Sequence, residues 1–303
     1  MTSGVPEGSL LAPLAFALFI NDPPDNLVSG CLLYADDLKL YRKIKEPSDS
    51  RLLQEDLCRL QEWCATWVLK LNPSKCKAFT ATLRRLPVQT MYKIGDFSIK
   101  SVNSIRDLGI VLDTKLTFSD HVNYIATKAN RALGLLIRSF QTGSKRAKFD
   151  TKSLLAAYYA NVRSVLEFGT VIWAGAATSH TVRVDRIQHK FLLWLNNHSN
   201  NPCPSITYPD LSKHFHVPFL SSRRAQHNLL FLKGLFSGKI NSEKLLSLFP
   251  LHVPARSTRT ASLFAESRAR ISTVQNGVVC RVAMQTNSSL GSSQLPSLQS
   301  ACH

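Results

Sequence analysis

The stretch LLYADDLKLY, Leu32–Tyr41, sets two carboxylates side by side, Asp36 and Asp37, between two short apolar runs. Leu33 and Ala35 before the pair, and Leu38 and Leu40 after it, suit two short strands joined at Asp36-Asp37. In a regular strand neighbouring side chains point to opposite faces, whereas a tight turn lets both carboxylates face one side. Two clustered carboxylates make a hard oxygen site suited to Mg²⁺. Such an ion can align a nucleophile and a phosphate for in-line displacement. Aspartate is also a common turn residue, so a bare Asp-Asp pair reads as an ordinary turn unless the surrounding sequence decides otherwise.

Upstream, the Gly- and Pro-rich segment Gly4–Ser9 runs directly into an apolar stretch. Ser9 suits the N-cap of a helix reaching about Ile20, with Leu10, Leu14, Leu18 and Phe19 on its buried side. Downstream, Ser48–Leu69 has the spacing of an amphipathic helix. Leu53, Leu57, Leu60, Cys64 and Trp67 form its core stripe, and Glu55, Asp56, Arg59 and Glu62 its wet face. Pro73 ends that helix in this reading, and Lys75–Thr82 follows as a strand. YKIGDFSIK reads as a hairpin turning at Gly95-Asp96, and SIRDLGIVLD as a strand pair or a strand bent at Gly109. From Ser119-Asp120 the pattern becomes helical, first with Val122, Ile125, Ala129, Leu133 and Leu136. Further helices are expected at roughly 152–166, 182–195 and 222–236. Beyond about Arg256 large apolar residues are few, and the composition predicts disorder. The predicted organisation is therefore residues 1–118, mixed sheet and helix; 119–250, helical; and 251–303, a Ser- and Arg-rich tail.

Charge is distributed unevenly. Residues 1–120 hold 15 basic and 14 acidic side chains; residues 121–303 hold 22 basic and 6 acidic. The excess points to a polyanionic partner, although a basic surface also serves solubility. Lys128, Arg131, Arg138, Lys145, Arg146, Lys148 and Lys152 fall within 25 residues, with Phe140 and Phe149 interleaved. That pattern suits a phosphate backbone, and equally a solvated helix face with a basic loop. Trp173 and Trp194 read as core anchors. The seven cysteines lie at irregular spacings with no Cys-x-x-Cys, a usage that fits a reducing, intracellular setting. Cys203, His214 and His216 match no zinc-finger spacing. No run approaches the length of a membrane span, and no membrane partner is expected.

GVPEGSLLAPLAFALFIND, LLYADDLKLY, WVLKLNPSKCKAF and IRDLGIVLDTKLTFSDHV follow one another in that order. Together they resemble the palm motifs of reverse transcriptases, in particular those of non-LTR (LINE-type) retrotransposons. LLAAYYANVRSVLEFGTVIWAG and RVDRIQHKFLLWL resemble the thumb and post-thumb region of the same family, so that the likeness covers roughly residues 3–240. It implies an α+β fold: part of a polymerase palm, an antiparallel sheet with helices, followed by a helical thumb-like domain. The implied activity is RNA-directed DNA polymerase, a nucleotidyltransferase in which a primer 3′-hydroxyl attacks the α-phosphate of a deoxynucleotide. An RNA template, a DNA primer, deoxynucleoside triphosphates and Mg²⁺ are the implied partners, and the nucleus the implied location.

Residue by residue, Asp36 and Asp37 match the family's metal-binding turn. Tyr34 and Ala35 lie beside it, near the primer end. Gly4, Val5, Pro6, Glu7, Gly8 and Ser9 match the loop that packs against template and nucleotide. Gly8 there permits close backbone approach, and Glu7 departs from the family's usual Gln. Lys75 matches a lysine near the leaving pyrophosphate, to which it could donate a proton; it also reads as a surface lysine. Leu108 and Gly109 fall where the family places a primer-gripping hairpin, which a core strand with a Gly bulge explains as well. The resemblance also implies fingers and an earlier palm strand bearing a third aspartate, on an upstream part of a parent polyprotein. Only Met1–Ser3 precede the loop here, and the expectation is a truncated chain that does not polymerise alone. A non-catalytic nucleic-acid-binding remnant, or a decayed product with unpaired strand edges, are the alternatives.

Overall fold

A computed structural model describes residues 11–22, 27–84, 90–140, 150–249, 251–252, 262–265 and 277–291. The chain divides into two units, Met1–Ile105 and Arg106–His303. The division falls at the start of the last hairpin, a dozen residues before the boundary that composition suggests.

In the first unit, helix α1 (Ala12–Phe19) is followed by strands β1 (Gly30–Tyr34) and β2 (Asp37–Tyr41), helix α2 (Pro47–Thr66), and the short strands β3 (Lys77–Phe79), β4 (Lys93–Ile94), β5 (Phe97–Ser98) and β6 (Lys100–Val102). The fold is α+β, but the expected antiparallel sheet is not continuous. Strands pair two by two, β1 with β2 and β4 with β5 antiparallel, and β3 with β6 parallel. Strands of two to five residues bury too little to hold a wide sheet by themselves.

Helix α2 organises this unit. Leu60 and Cys64 are buried as its periodicity requires, and so is Asp56, which the charge pattern assigns to the wet face. The Asp56 carboxylate accepts the backbone N–H groups of Ser29 (2.7 Å) and Val28 (3.1 Å) and the Arg59 guanidinium (2.8 Å). It thereby ties the entry of β1 to the helix. Gln54 exchanges two hydrogen bonds with the backbone of Lys93, and Gln61 accepts the Gly95 N–H at 2.8 Å. These two amides seat the β4–β5 hairpin, which turns at Gly95-Asp96 as expected. The helix stops before Pro73, at a Schellman motif: Val68 has φ +56, its N–H bonds Ala65 O, and the Leu69 N–H bonds Cys64 O. The expected buried side of α1 is not covered among the described residues. Leu14 and Leu18 are exposed, and Phe19 packs at the rim against Trp63 and Trp67. Ser9 and Leu10 lie outside the described residues.

The second unit opens within β7 (Ser104–Asp107), which pairs with β8 (Ile110–Asp113). Helices follow: α3 (Ser119–Phe140), α4 (Thr151–Tyr158), a π-helical turn (Tyr159–Arg163), α5 (Ser164–Glu167), α6 (Thr170–Trp173), α7 (Thr178–His198), α8 (Tyr208–His214), α9 (Leu220–Phe236), α10 (Glu243–Leu246) and α11 (Val278–Gly291). Val122, Ile125, Ala129, Leu133 and Leu136 face one core with Tyr158, Trp173, Phe191 and Trp194. Inside it the Gln188 amide bonds Tyr158, Tyr208 and the Pro218 carbonyl. Such a fully satisfied polar group fixes one packing arrangement. A smaller core joins Leu232 and Leu235 of α9 to Val282 and Ala283 of α11. The tail read as disordered therefore carries a packed helix.

Candidate active site

Strand pairing places the two aspartates. Tyr34 pairs with Asp37 across the β1–β2 ladder, so the two-residue turn is Ala35-Asp36 and not Asp36-Asp37. Asp37 is the first residue of β2. Ala35 has φ +50, the left-handed region that a two-residue hairpin demands at its first central position and that an alanine Cβ resists. The ladder sorts the side chains. Cys31, Leu33, Leu38 and Leu40 share one face and are half-buried, while Leu32, Tyr34, Asp37 and Lys39 share the other. Leu32 and Tyr34 are exposed on that second face, so Asp37 stands beside open apolar surface. Gly30 belongs to the same register: a Cβ there would meet the Tyr41 ring at 2.3 Å.

Both carboxylates are exposed at the hairpin tip. Two unit charges about 4 Å apart repel by roughly 1 kcal/mol in bulk water, a cost that a bound cation removes. The donor set fits Mg²⁺, which commonly takes one or two carboxylates and keeps several waters. Among the described residues no group of three or more His, Cys, Asp or Glu gathers around a common point. His214 instead bonds the Asn201 carbonyl at 2.9 Å.

The other residues singled out from sequence distribute as follows. Lys75 is exposed in the turn after α2, its N–H bonded to Asn72 O at 3.1 Å. Leu108 (φ +43) and Gly109 (φ +88) form the tip of the β7–β8 hairpin. A Cβ on Gly109 would lie 2.8 Å from the Phe168 ring, and one on Gly169 (φ +60) 2.3 Å from Ile110 Cδ1. Packing thus accounts for Gly109 without any primer. Lys128, Arg131 and Arg138 are exposed on α3, and Lys152 on α4. Gly4–Ser9, Lys145, Arg146, Lys148 and Phe149 lie outside the described residues.

Sequence reasoning passed over two polar anchors near the hairpin β7–β8. Asp113 accepts the N–H groups of Lys115, Thr117 and Phe118 and the Thr117 hydroxyl, shaping the loop into α3. Burial raises its carboxyl pKa, but these donors outweigh it and hold the group below the usual carboxylate range. His121 is fully buried. Its Nδ1 accepts the Val111 N–H at 3.3 Å, and its ring lies 6.0 Å from that of Trp173. Burial, aided by the charge of Arg106, pushes its pKa down to about 4.

Residues 1–124 match the family described as reverse transcriptase (RNA-dependent DNA polymerase). That span includes the aspartate hairpin, Lys75 and the Leu108-Gly109 tip. The chain is similar there to the reverse transcriptases of non-LTR retrotransposons. It is 31% identical over 196 residues to the probable RNA-directed DNA polymerase from transposon X-element of Drosophila melanogaster, covering 63% of this chain and 21% of that protein. The probable RNA-directed DNA polymerase from transposon BS of the same fly is 28% identical over 264 residues, 79% of this chain and 28% of the relative. The RNA-directed DNA polymerase from mobile element jockey of Drosophila funebris is 29% identical over 207 residues, 63% and 21%. The chain thus spans about a fifth to just over a quarter of the length of these curated relatives. No solved structure matches it.

Proposed function

We propose that this chain supplies the metal-holding turn and part of the nucleic-acid surface of an RNA-directed DNA polymerase. The observation that carries the reading is the β1–β2 hairpin: Asp36 and Asp37 stand exposed at its tip on a turn held by a left-handed alanine. Strain of that kind persists where surroundings over-determine it, often at functional turns. The reaction joins a primer 3′-hydroxyl to the α-phosphate of a deoxynucleotide and releases pyrophosphate, copying an RNA template. Mg²⁺, when bound, supplies charge neutralisation and alignment of the reacting oxygens.

The roles of the chain's own groups follow from their chemistry. Asp36 and Asp37 offer carboxylate oxygens on a short, paired scaffold that limits their wandering. Tyr34 and Leu32 present apolar surface beside Asp37, suited to a sugar or base at the primer end. Lys75 is the candidate proton donor to the departing pyrophosphate. Lys128, Arg131, Arg138 and Lys152 line exposed helix positions where phosphates release counterions on binding.

The sequence resemblance implies a third aspartate at such a site; among the described residues none gathers with Asp36 and Asp37, and two carboxylates alone position metal and nucleotide poorly. Positioning supplies much of the catalysis in phosphoryl transfer. The 303-residue polypeptide assayed by itself is therefore expected to bind primer–template in a salt-sensitive way without extending it. Primer extension on an RNA template tests this directly: robust product that Asp36→Asn abolishes would overturn the inactivity of the isolated chain while supporting the site.

A further inference from the structure

The outward face of α3 combines two kinds of group. Tyr124, Lys128, Arg131, Leu135 and Arg138 are all exposed. At roughly 100° per residue these five fall within an arc of about 80°, and they span about 21 Å along the helix. Val122, Ile125, Ala129, Leu133 and Leu136 occupy the opposite side and are buried. The apolar side of α3 is thus already taken by the core, and Tyr124 and Leu135 on the outer face stay exposed among the described residues. The single acidic residue of the helix, Asp120, lies in its first turn.

Tyr124 is backed by a cation. The Arg106 guanidinium sits 5.2 Å from the ring centroid, which holds the ring in place and polarises it. Beside it Arg183 of α7 donates to Asn123 Oδ1 at 2.6 Å, bringing another positive group to the same end of the helix. The stripe therefore begins with an aromatic ring backed by one cation and continues as a row of three cations interrupted by one aliphatic side chain.

Charge complementarity selects a polyanion for this face, and the aromatic group selects its form. In a duplex the base faces are stacked inside and phosphates line the outside, leaving the Tyr124 ring nothing flat to meet. An unpaired strand offers bases to stack and a backbone for the cations, the combination found in single-strand-binding surfaces. We propose that the outer face of α3 binds single-stranded nucleic acid, with a base stacked on Tyr124 and the phosphates following Lys128, Arg131 and Arg138. The proposal rests on the reading that this unit engages nucleic acid; it narrows the ligand to unpaired strand and assigns Tyr124 and Arg106 to it.

The test uses the full chain and fluorescence anisotropy with labelled oligothymidylate and oligouridylate of roughly 12 nucleotides, within the usual site size, and a duplex of the same length as competitor. Tyr124→Ala weakens single-strand binding about 5- to 140-fold, the loss of one stacked base, whereas Tyr124→Trp retains it. Lys128→Gln/Arg131→Gln/Arg138→Gln flattens the slope of log K against log salt by about 2, as three released single-strand phosphate contacts require. The DNA and RNA arms identify which strand is preferred, and tight binding to either supports the proposal. Unchanged affinity in Tyr124→Ala alongside a flattened slope in the charge variant overturns the platform and leaves the backbone reading standing. Parental affinity and slope in both variants overturn the two together, and a duplex that binds as tightly as the single strand, with no sensitivity to Tyr124, overturns the narrowing to unpaired strand.

Discussion

His121 makes the stability of the helical unit depend on mild acid. Its imidazole is fully buried, and burial together with Arg106 places its pKa at about 4, against an ordinary value near 6.5 in the unfolded chain. Because the folded value is the lower one, the unfolded state takes up a proton first as pH falls. The contribution of the neutral ring is complete above about pH 6.5 and is lost progressively as pH approaches 4. Between pH 7.5 and 5.0 the linkage amounts to about 2 kcal/mol. The lowered carboxylates of the same unit, Asp113, Asp150 and Asp210, lose their contributions only below the ordinary carboxylate range, outside this window. Asp185, whose carboxyl burial pushes up, gains stability in acid and acts the other way. The variant that isolates the histidine is His121→Gln, which keeps an acceptor for the Val111 N–H and cannot titrate. Urea unfolding followed by tryptophan fluorescence at the two pH values is the assay. The parent is expected to lose about 2 kcal/mol more than His121→Gln between them. An equal loss in the two proteins would show that the buried ring carries no linkage and refute the reasoning.

Three further outcomes follow from particular contacts. Ala35→Gly relieves the left-handed strain at the hairpin turn, about 1–2 kcal/mol less the entropy of glycine; amides of Leu32–Leu40 should exchange with solvent more slowly, and faster exchange would contradict the turn geometry. Gly169→Ala drives a Cβ into Ile110 at a φ of +60; strain and overpacking together should lower stability by about 2–5 kcal/mol in a chemical melt. Asp56→Ala leaves the buried Ser29 N–H without its acceptor and releases the Val28 N–H and the Arg59 guanidinium to water, at about 1–3 kcal/mol by the same measurement. For Asp56 itself, burial raises the pKa but the hydrogen bonds from Ser29, Val28 and Arg59 lower it further. Its contribution is therefore present above the ordinary carboxylate pKa and disappears only as pH falls through the lower folded value.

The elements most legible in the sequence are those with a period. The α3 stripe from Val122 to Leu136, the core of α2 at Leu60 and Cys64, and the Gly95-Asp96 turn all follow from residue spacing and turn chemistry. What escaped has no periodic signature. Asp56 sits among charged neighbours and reads as solvated, yet its partners are backbone donors 27 and 28 residues away. Val68 ends α2 in a left-handed conformation that β-branched residues resist, so only the 6→1 and 5→2 bonds reveal it. The Asp36-Asp37 turn is displaced by one residue because the ladder pairs Tyr34 with Asp37, and alternation of apolar residues does not fix register to that accuracy. Helix α11 did leave a trace, Val278, Val279, Val282 and Ala283 on one side, outweighed by the Ser-rich composition around it. Tyr124 belongs to no motif, and the motif that holds Arg106 does not point to it; helical geometry and a cation over a ring bring them together.

The central claim, that Asp36 and Asp37 hold a divalent cation at the tip of β1–β2, is most directly tested by titrating Mn²⁺ into the isotope-labelled chain and following paramagnetic broadening of backbone amides. The expected result is broadening that begins at Ala35–Leu38 at the lowest metal concentrations and vanishes in Asp36→Asn/Asp37→Asn, with the rest of the spectrum unchanged. Broadening that first appears elsewhere, or that persists at the hairpin after both carboxylates are removed, would contradict it.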